Sequence, residues 1–384
     1  MRLPKRLLLV LTIPIPLLLA ACGGGGDAGS ATAVADASEL RSESLVIAGV
    51  SVEEKRGRFG PGLGFVLRLP EKWDGRLLVA IPGAAGTADD LAAFALPEVL
   101  AGTAYASIDS SDALSAPKLY EDFLGFVTQQ TGLAYGRAPD QRYLMGVSQG
   151  AWQVQQLLEG DHPEVDGALL VAPWSPADAL RSYPALLAEV ERLRPRFDGL
   201  ATGSLVRLDA AELLIVEGLI ARGLPAGSYA AWPGIVGFWQ AALAAAQGLI
   251  DPSYPPGASV LSYDLAQRPS EVQKRVEQLT PAGELAVPTV LLQGGLDVVA
   301  VPGWSRDYEA RVLEAERDRG LRVFVFPDLD HRLRGPGETS AFADVRLRRG
   351  WETIRGWVEA GVEPITILGV DPTVATTRQE AAGR

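Results

Sequence analysis

Three side chains in this sequence could combine as a nucleophile, a base and an orienting acid. The serine is Ser148, in the run Gly146-Val147-Ser148-Gln149-Gly150. A serine hydroxyl attacks a carbonyl well only when a neighbouring base takes its proton. The chain holds two histidines, His162 and His331. His331 ends the apolar run "LRVFVFPDLDH", whereas His162 sits in the polar stretch "EGDHPEVDG". A base in turn needs a carboxylate to fix its tautomer and stabilise the imidazolium. Asp297 closes the apolar run "VPTVLLQGGLD", so the chain order is Ser, Asp, His. Asp109 and Asp112 follow an earlier strand-like run and are weaker candidates for the acid. Asp328 and Asp330 are too near His331 in sequence to reach round to it. No group of His, Cys and carboxylate has metal-ligand spacing, so the pattern implies neither a metal nor an organic cofactor.

A Gly-x-Ser-x-Gly run is short, and this chain has 42 glycines, so the motif counts only in context. The context is a strand, "RYLMGVS", that turns directly into a helix, "GAWQVQQLLEG". That junction is what a nucleophile elbow needs: a sharp, strained turn with glycines where a side chain would clash. The positive end of the helix favours negative charge beside the serine, and the Gln149 N–H is placed to donate to an oxyanion. "IPGAAG" (81–86) follows another buried strand, and its turn can offer the N–H groups of Gly83 and Ala84 to the same oxyanion.

Strand and helix signals alternate from residue 45 to 174. "LVIAGVSVEE" and "GFVLRLP" read as an opening antiparallel pair, and unbroken apolar strands then alternate with helices. This rhythm predicts an α/β class chain: a mostly parallel, twisted sheet covered by helices on both faces. Ligand-facing groups of such sheets gather at the carboxyl ends of the strands. Asp297 and His331 lie there, and His162 is expected at the opposite edge, in solvent. From Ser175 to about Pro281 the signals are helical only, with a capping box at Asp209 and Glu212. Sheet signals resume over 282–368. The organisation expected is a sheet core (45–174 and 282–368) with a helical insertion (175–281) between two late strands. The cluster "YAAWPGIVGFWQ" (229–240) is expected at the substrate, with Trp232, Phe238 and Trp239 lining an apolar cleft. The competing account is that such aromatics are the insertion's own core.

The net charge is −12, and no basic block occurs after the N-terminus, which argues against nucleic acid as a partner. Arg2, Lys5 and Arg6 precede the apolar run "LLLVLTIPIPLLLA", a proline-broken stretch better suited to an export signal than to a membrane span. Leu19-Ala20-Ala21-Cys22 resembles the bacterial lipobox, which implies that Cys22 is lipidated and residues 1–22 are a signal peptide. Contact with a membrane is expected through that lipid alone. Gly23 follows, without an aspartate retention signal, so the expected location is the bacterial cell envelope, at the outer membrane or its periplasmic face. Residues 23–44 are small and polar and read as a flexible tether, and 369–384 as a frayed tail. A single cysteine excludes an intramolecular disulfide and a CxxC site.

With these residues in place, 45–365 resembles the α/β-hydrolase superfamily. The carriers are Gly146-Val147-Ser148-Gln149-Gly150, the strand-end Asp297, His331 and the Pro82-Gly83 turn. The resemblance implies an α/β-hydrolase fold, with Ser148 as nucleophile, His331 as general base, Asp297 as its acid, and 175–281 where the family inserts a cap. The sequence departs from the His-Gly-Gly-Gly loop of many lipases, and Ala151 stands where a second glycine often follows the elbow. It also lacks the paired cysteines of tannases and feruloyl esterases. "WDGRLLVAIPG" and "AYASIDSSD" are similar to segments of secreted esterases and polyester-oligomer hydrolases. The reaction implied is hydrolysis of a small apolar carboxylic ester. Two other readings stand beside it. One is a cap-domain peptidase gripping a free amino terminus through Glu189, Glu191, Glu212 or Glu217. The other is a non-catalytic, lipid-anchored binding protein on the same fold.

Overall fold

The computed structural model describes residues 37–111, 116–160, 164–201, 209–255, 259–317, 320–335, 337–338 and 340–373. Its centre is a nine-stranded mixed sheet: β1 (Ala37–Ile47), β2 (Val50–Phe59), β3 (Leu63–Pro70), β4 (Arg76–Ile81), β5 (Ala104–Ile108), β6 (Gln141–Val147), β7 (Gly167–Val171), β8 (Thr289–Gly294) and β9 (Leu321–Phe326). The spatial order is β1-β2-β3-β5-β4-β6-β7-β8-β9. β1, β2, β3 and β5 pair antiparallel, and every pairing from β5 onward to β9 is parallel.

The strands are apolar on both faces because both faces are covered. On β4, Leu77, Val79 and Ile81 point to a layer built with α2 (Ala116–Tyr135), α3 (Gln149–Leu158) and α8 (Pro302–Glu314). Leu78 and Ala80 point the other way, into a layer with α1 (Ala92–Ala101) and α9 (Ser340–Ala360). Between β7 and β8 the described residues form four helices, α4 (Pro176–Ala201), α5 (Ala210–Ala221), α6 (Trp232–Ile250) and α7 (Ser270–Gln278), with short 3₁₀ turns. They make the helical cap, inserted between two late strands as expected. The Asp209–Glu212 capping box opens α5 with both of its hydrogen bonds in place. The cap has a hydrophobic core of its own, which runs on into Val298, Ala300, Val301 and Trp304.

Two expectations at the ends need correction. β1 begins at Ala37, inside the stretch read as a tether, and three antiparallel strands open the sheet, not two. β1 is an exposed edge strand whose first eight residues are small and charged apart from Leu40, so only its Leu45–Ile47 end carries a strand signal to read. Its ladder with β2 defines it, and its charges blunt the edge. The tail read from 369 is also anchored further along than expected. Val370 bridges Ile367, and Thr373 donates its N–H to the Val323 carbonyl at 2.8 Å.

Candidate active site

Parallel register brings the carboxyl ends of five strands level. Ile81 pairs with Gly146, Val147 with Val171, and Gly294 with Phe326. The turns after β4, β6, β8 and β9 carry Gly83, Ser148, Asp297 and His331.

Ser148 sits between β6 and α3 with φ 54° and ψ −120°, a conformation that L-residues rarely adopt. The surroundings over-determine it. Ser148 N donates to the Val171 carbonyl at 2.8 Å, and the Ser148 carbonyl accepts from Ala151 N at 3.0 Å and Trp174 N at 3.1 Å. The flanking glycines have steric causes. A Cβ on Gly146 would lie 2.5 Å from Ala151 Cα and from the Gly150 carbonyl oxygen. One on Gly150 would lie 2.8 Å from the Ile81 carbonyl carbon, closer still to two carbonyl oxygens of the strand end.

His331 Nε2 is 2.9 Å from Ser148 Oγ, and His331 Nδ1 is 2.8 Å from Asp297 Oδ2. An ionised carboxylate only accepts, so Nδ1 carries the proton and Nε2 is left to accept from the serine hydroxyl. Asp297 is fully buried, and both of its oxygens are used. Oδ1 accepts from Val299 N at 2.7 Å and Ala300 N at 3.0 Å, and Oδ2 accepts also from Gln293 Nε2 at 2.9 Å. Four donors on one buried carboxylate compensate its desolvation.

Gln293 escapes a reading that looks only for acids and bases. It lies on β8, fully buried; Nε2 also donates to the Ala300 carbonyl, and Oε1 accepts from Ser305 Oγ at 2.8 Å. The visible cue is a lone amide in an otherwise apolar strand run, four residues before an aspartate. Gly294 and Gly295 have a second role there. Side chains on them would meet the Leu329 oxygen at 2.6 Å and Pro327 Cα at 2.7 Å, so only glycines let the acid turn lie against the histidine turn. The histidine turn is fixed further by Glu338, which accepts from Gly335 N at 2.7 Å and Arg346 Nη1 at 2.6 Å. The Arg346 guanidinium, helped by the Gly335 N–H, holds the Glu338 carboxyl down at about 2.

The remaining sequence candidates divide. Gly83 abuts Ser148: a Cβ there would lie 3.3 Å from Ser148 Cβ and 3.9 Å from Oγ. Ala84 follows it in an exposed turn closed by Gly86 N to the Gly83 carbonyl, and Gln149 is the first residue of α3. Asp109 is not at the histidine; it accepts from Gly64 N and Ala88 N and ties loops together. Asp330 accepts from Arg332 N and Arg334 N within its own turn. Asp112, His162 and Cys22 lie outside the described residues.

The expectation that Trp232 and Trp239 line a cleft is overturned. Both are fully buried in the cap core, with Trp232 Nε1 donating to Ser228 Oγ and Trp239 Nε1 to the Val298 carbonyl. The physical reason is that a cap of four helices must fill its own interior, and indoles fill it best. The cue was present in the sequence. Trp232, Val236, Trp239, Leu243, Ala246 and Ile250 recur at alternating spacings of four and three, one face of α6, and all are buried. Phe238 is off that face and 39% exposed. Of the acidic cap residues, Glu189 pairs with Arg192 and Glu212 closes the capping box. A cleft of about 630 Å³ between α4, α7 and the 261–266 turns includes none of the residues around Ser148.

No protein-family model matches this sequence, and no curated protein matches it. Solved structures do match in fold. An esterase from Aspergillus oryzae superposes with a TM-score of 0.63 at 16% identity, over 87% of this chain and 88% of that one. Feruloyl esterase B from Aspergillus oryzae gives a TM-score of 0.61 at 14% identity, over 91% and 92% of the two chains. This chain has an α/β-hydrolase fold. In that fold the elbow serine, the acid after β8 and the histidine after β9 share one sheet edge, beneath an inserted helical cap.

Proposed function

We propose that this protein hydrolyses carboxylic esters through an acyl-serine intermediate. The observation that carries the proposal is the pair of hydrogen bonds in series, Ser148 Oγ to His331 Nε2 at 2.9 Å and His331 Nδ1 to Asp297 Oδ2 at 2.8 Å, at a strained elbow. Ser148 Oγ attacks the ester carbonyl carbon while His331 Nε2 takes its proton. The oxyanion is met by the N–H groups of Gln149 and Ala84, with Gly83 giving close approach. The tetrahedral intermediate collapses as His331 returns the proton to the leaving alkoxide. Water, deprotonated by His331, then attacks the acyl carbon, and His331 passes that proton to Ser148 Oγ as the acyl–Oγ bond breaks and the acid leaves. Asp297 stays ionised throughout and stabilises the imidazolium.

An ester is favoured over an amide because the cap's Glu189 and Glu212 are occupied by Arg192 and by the α5 capping box. The names of the two structural neighbours agree with an ester. The substrate proposed is an ester with an apolar acyl or alcohol part of modest size, with the exposed Phe238 as the remaining aromatic candidate to meet it. The lipobox-like Leu19-Ala20-Ala21-Cys22 supports a further proposal, that the enzyme is exported to the bacterial cell envelope and held there by lipid on Cys22.

The test is labelling with a fluorophosphonate probe, expected once per chain and at Ser148. Ser148→Ala should abolish labelling and lower kcat by about 10⁶-fold, and Asp297→Asn should lower it by about 10⁴-fold. Labelling that survives Ser148→Ala overturns the assignment. Turnover of short p-nitrophenyl esters over aminoacyl anilides is expected, and the reverse preference would favour a peptidase. For the anchor, globomycin should cause precursor to accumulate, and a Cys22→Ser protein that stays on membranes would contradict it.

A further inference from the structure

Trp239 on α6 and Tyr183 on α4 reach out of the cap core into the turn that carries the acid. Trp239 Nε1 donates to the Val298 carbonyl at 2.7 Å, and Tyr183 Oη donates to the Val299 carbonyl at 2.6 Å. The other ends of those same two peptide groups hold Asp297. The Val298–Val299 peptide gives its N–H to Asp297 Oδ1 at 2.7 Å, and the Val299–Ala300 peptide gives its N–H to the same oxygen at 3.0 Å. Each peptide is therefore a short rigid bridge, planar by resonance, with the acid at one end and a cap side chain at the other. A donor on the carbonyl also polarises the peptide and strengthens its N–H as a donor.

The braces are themselves fixed. Tyr183 Oη accepts from Trp174 Nε1 at 2.9 Å, and the Tyr183 ring stacks on Trp239 with centroids 5.5 Å apart. Burial pushes the Tyr183 phenol well above its ordinary range, so it remains a donor. Trp174 N in turn donates to the Ser148 carbonyl at 3.1 Å. The bonds close a ring: Ser148 backbone, Trp174, Tyr183, the acid turn, Asp297, His331, and back to Ser148 Oγ.

We infer that the cap is part of the catalytic geometry, with Trp239 and Tyr183 as positioning residues that set the Asp297 carboxylate through the 298–299 and 299–300 peptides. The inference rests on the triad reading above. It gives the buried indole a task other than a substrate wall and makes cap packing a determinant of turnover.

The test compares Trp239→Phe and Tyr183→Phe, which keep an aromatic ring and drop the donor, with Trp232→Phe, which makes the same change in size as Trp239→Phe. Trp232 is an equally buried cap indole whose Nε1 donates to Ser228 Oγ, within the cap. Trp239→Phe and Tyr183→Phe should lower kcat on p-nitrophenyl acetate by about 10- to 100-fold, the scale of a small misplacement of a catalytic group. KM should change by less than about threefold and acyl-length preference should not change, since only positioning is lost. Trp232→Phe should leave kcat near wild type. In an Asp297→Asn background Trp239→Phe should cost less than about twofold more, because its effect passes through that carboxylate. A second readout does not need turnover. With two histidines in the chain, the downfield proton of the His331 Nδ1–H to Asp297 bond is easily assigned, and it should shift or broaden in Trp239→Phe and not in Trp232→Phe. Equal losses in Trp239→Phe and Trp232→Phe, an altered acyl preference, or a full further loss in the Asp297→Asn background would each overturn the inference. A wild-type protein that neither labels nor turns over esters would instead defeat the triad reading, and the proton resonance would still decide whether the cap positions the acid.

Discussion

Replacing Gly146 with alanine isolates the steric demand of the elbow. Gly146 is the residue two before Ser148, on the last turn of β6, and its backbone is not in the left-handed region. Alanine therefore costs nothing in dihedral strain, and the whole effect is contact. The new Cβ would meet Ala151 Cα and the Gly150 oxygen at 2.5 Å and Ala151 N at 2.6 Å. Carbon–carbon contact is comfortable at about 3.5–4.0 Å, so strand and helix must part by about 1–1.5 Å. Overpacking of this kind costs about 1–3 kcal/mol, and in a chain of this size each kcal/mol lowers Tm by about 2–4 °C. The parting falls across Ser148, since residue 146 precedes it and residues 150–151 follow. A misplacement near 1 Å costs up to about 100-fold in rate, so kcat should fall about 10- to 100-fold. The assay is steady-state hydrolysis of p-nitrophenyl acetate at a temperature well below the variant's Tm, with fluorophosphonate labelling rate as a check on Ser148 alone. Unchanged kcat and labelling in a folded variant would refute the argument that Gly146 holds Ser148 in position. A rise in KM at constant kcat would refute it too, by locating the effect in substrate binding.

Two further outcomes follow from the same geometry. Gly125, in the interior of α2 and exposed, has open space where a Cβ would go, so Gly125→Ala should raise stability by about 0.5–1 kcal/mol, read as a higher Tm; a lower Tm would mean that the helix needs glycine there. Glu338 titrates at about 2 in the folded chain against its ordinary 4.5, so its grip on the histidine turn is complete above the ordinary value and fades as pH falls toward 2. Amide protection over 331–335, relative to the intrinsic exchange rate at each pH, should fall between pH 5 and pH 3, Glu338→Gln should already show low protection at pH 5, and equal protection in both proteins at pH 5 would show that the carboxylate is not the anchor.

Much of the site is local, and local features are written in a sequence. The elbow needs a strand, a turn with two clash-free positions and a helix, all within a dozen residues, and "RYLMGVSQGAW" spells them out. The strand-end positions of Asp297 and His331 follow from reading where two apolar runs stop, because a parallel sheet gathers those ends on one edge. What the sequence left undecided depends on partners distant in the chain. The first eight residues of β1 are polar or small apart from Leu40, and their ladder with β2 makes them a strand. α6 is apolar almost all round: the four-and-three spacing puts both indoles on one face, but packing against α4 and the acid turn decides that this face meets core. The two peptides that grip Asp297 are gripped in turn by Tyr183 and Trp239, residues 116 and 59 positions away from their partners. Backbone carbonyls carry no residue identity, so no pattern in the sequence marks which of them a buried donor will find. Closing the chain into a sheet and a cap selects those partners, since a buried indole or phenol without an acceptor is costly.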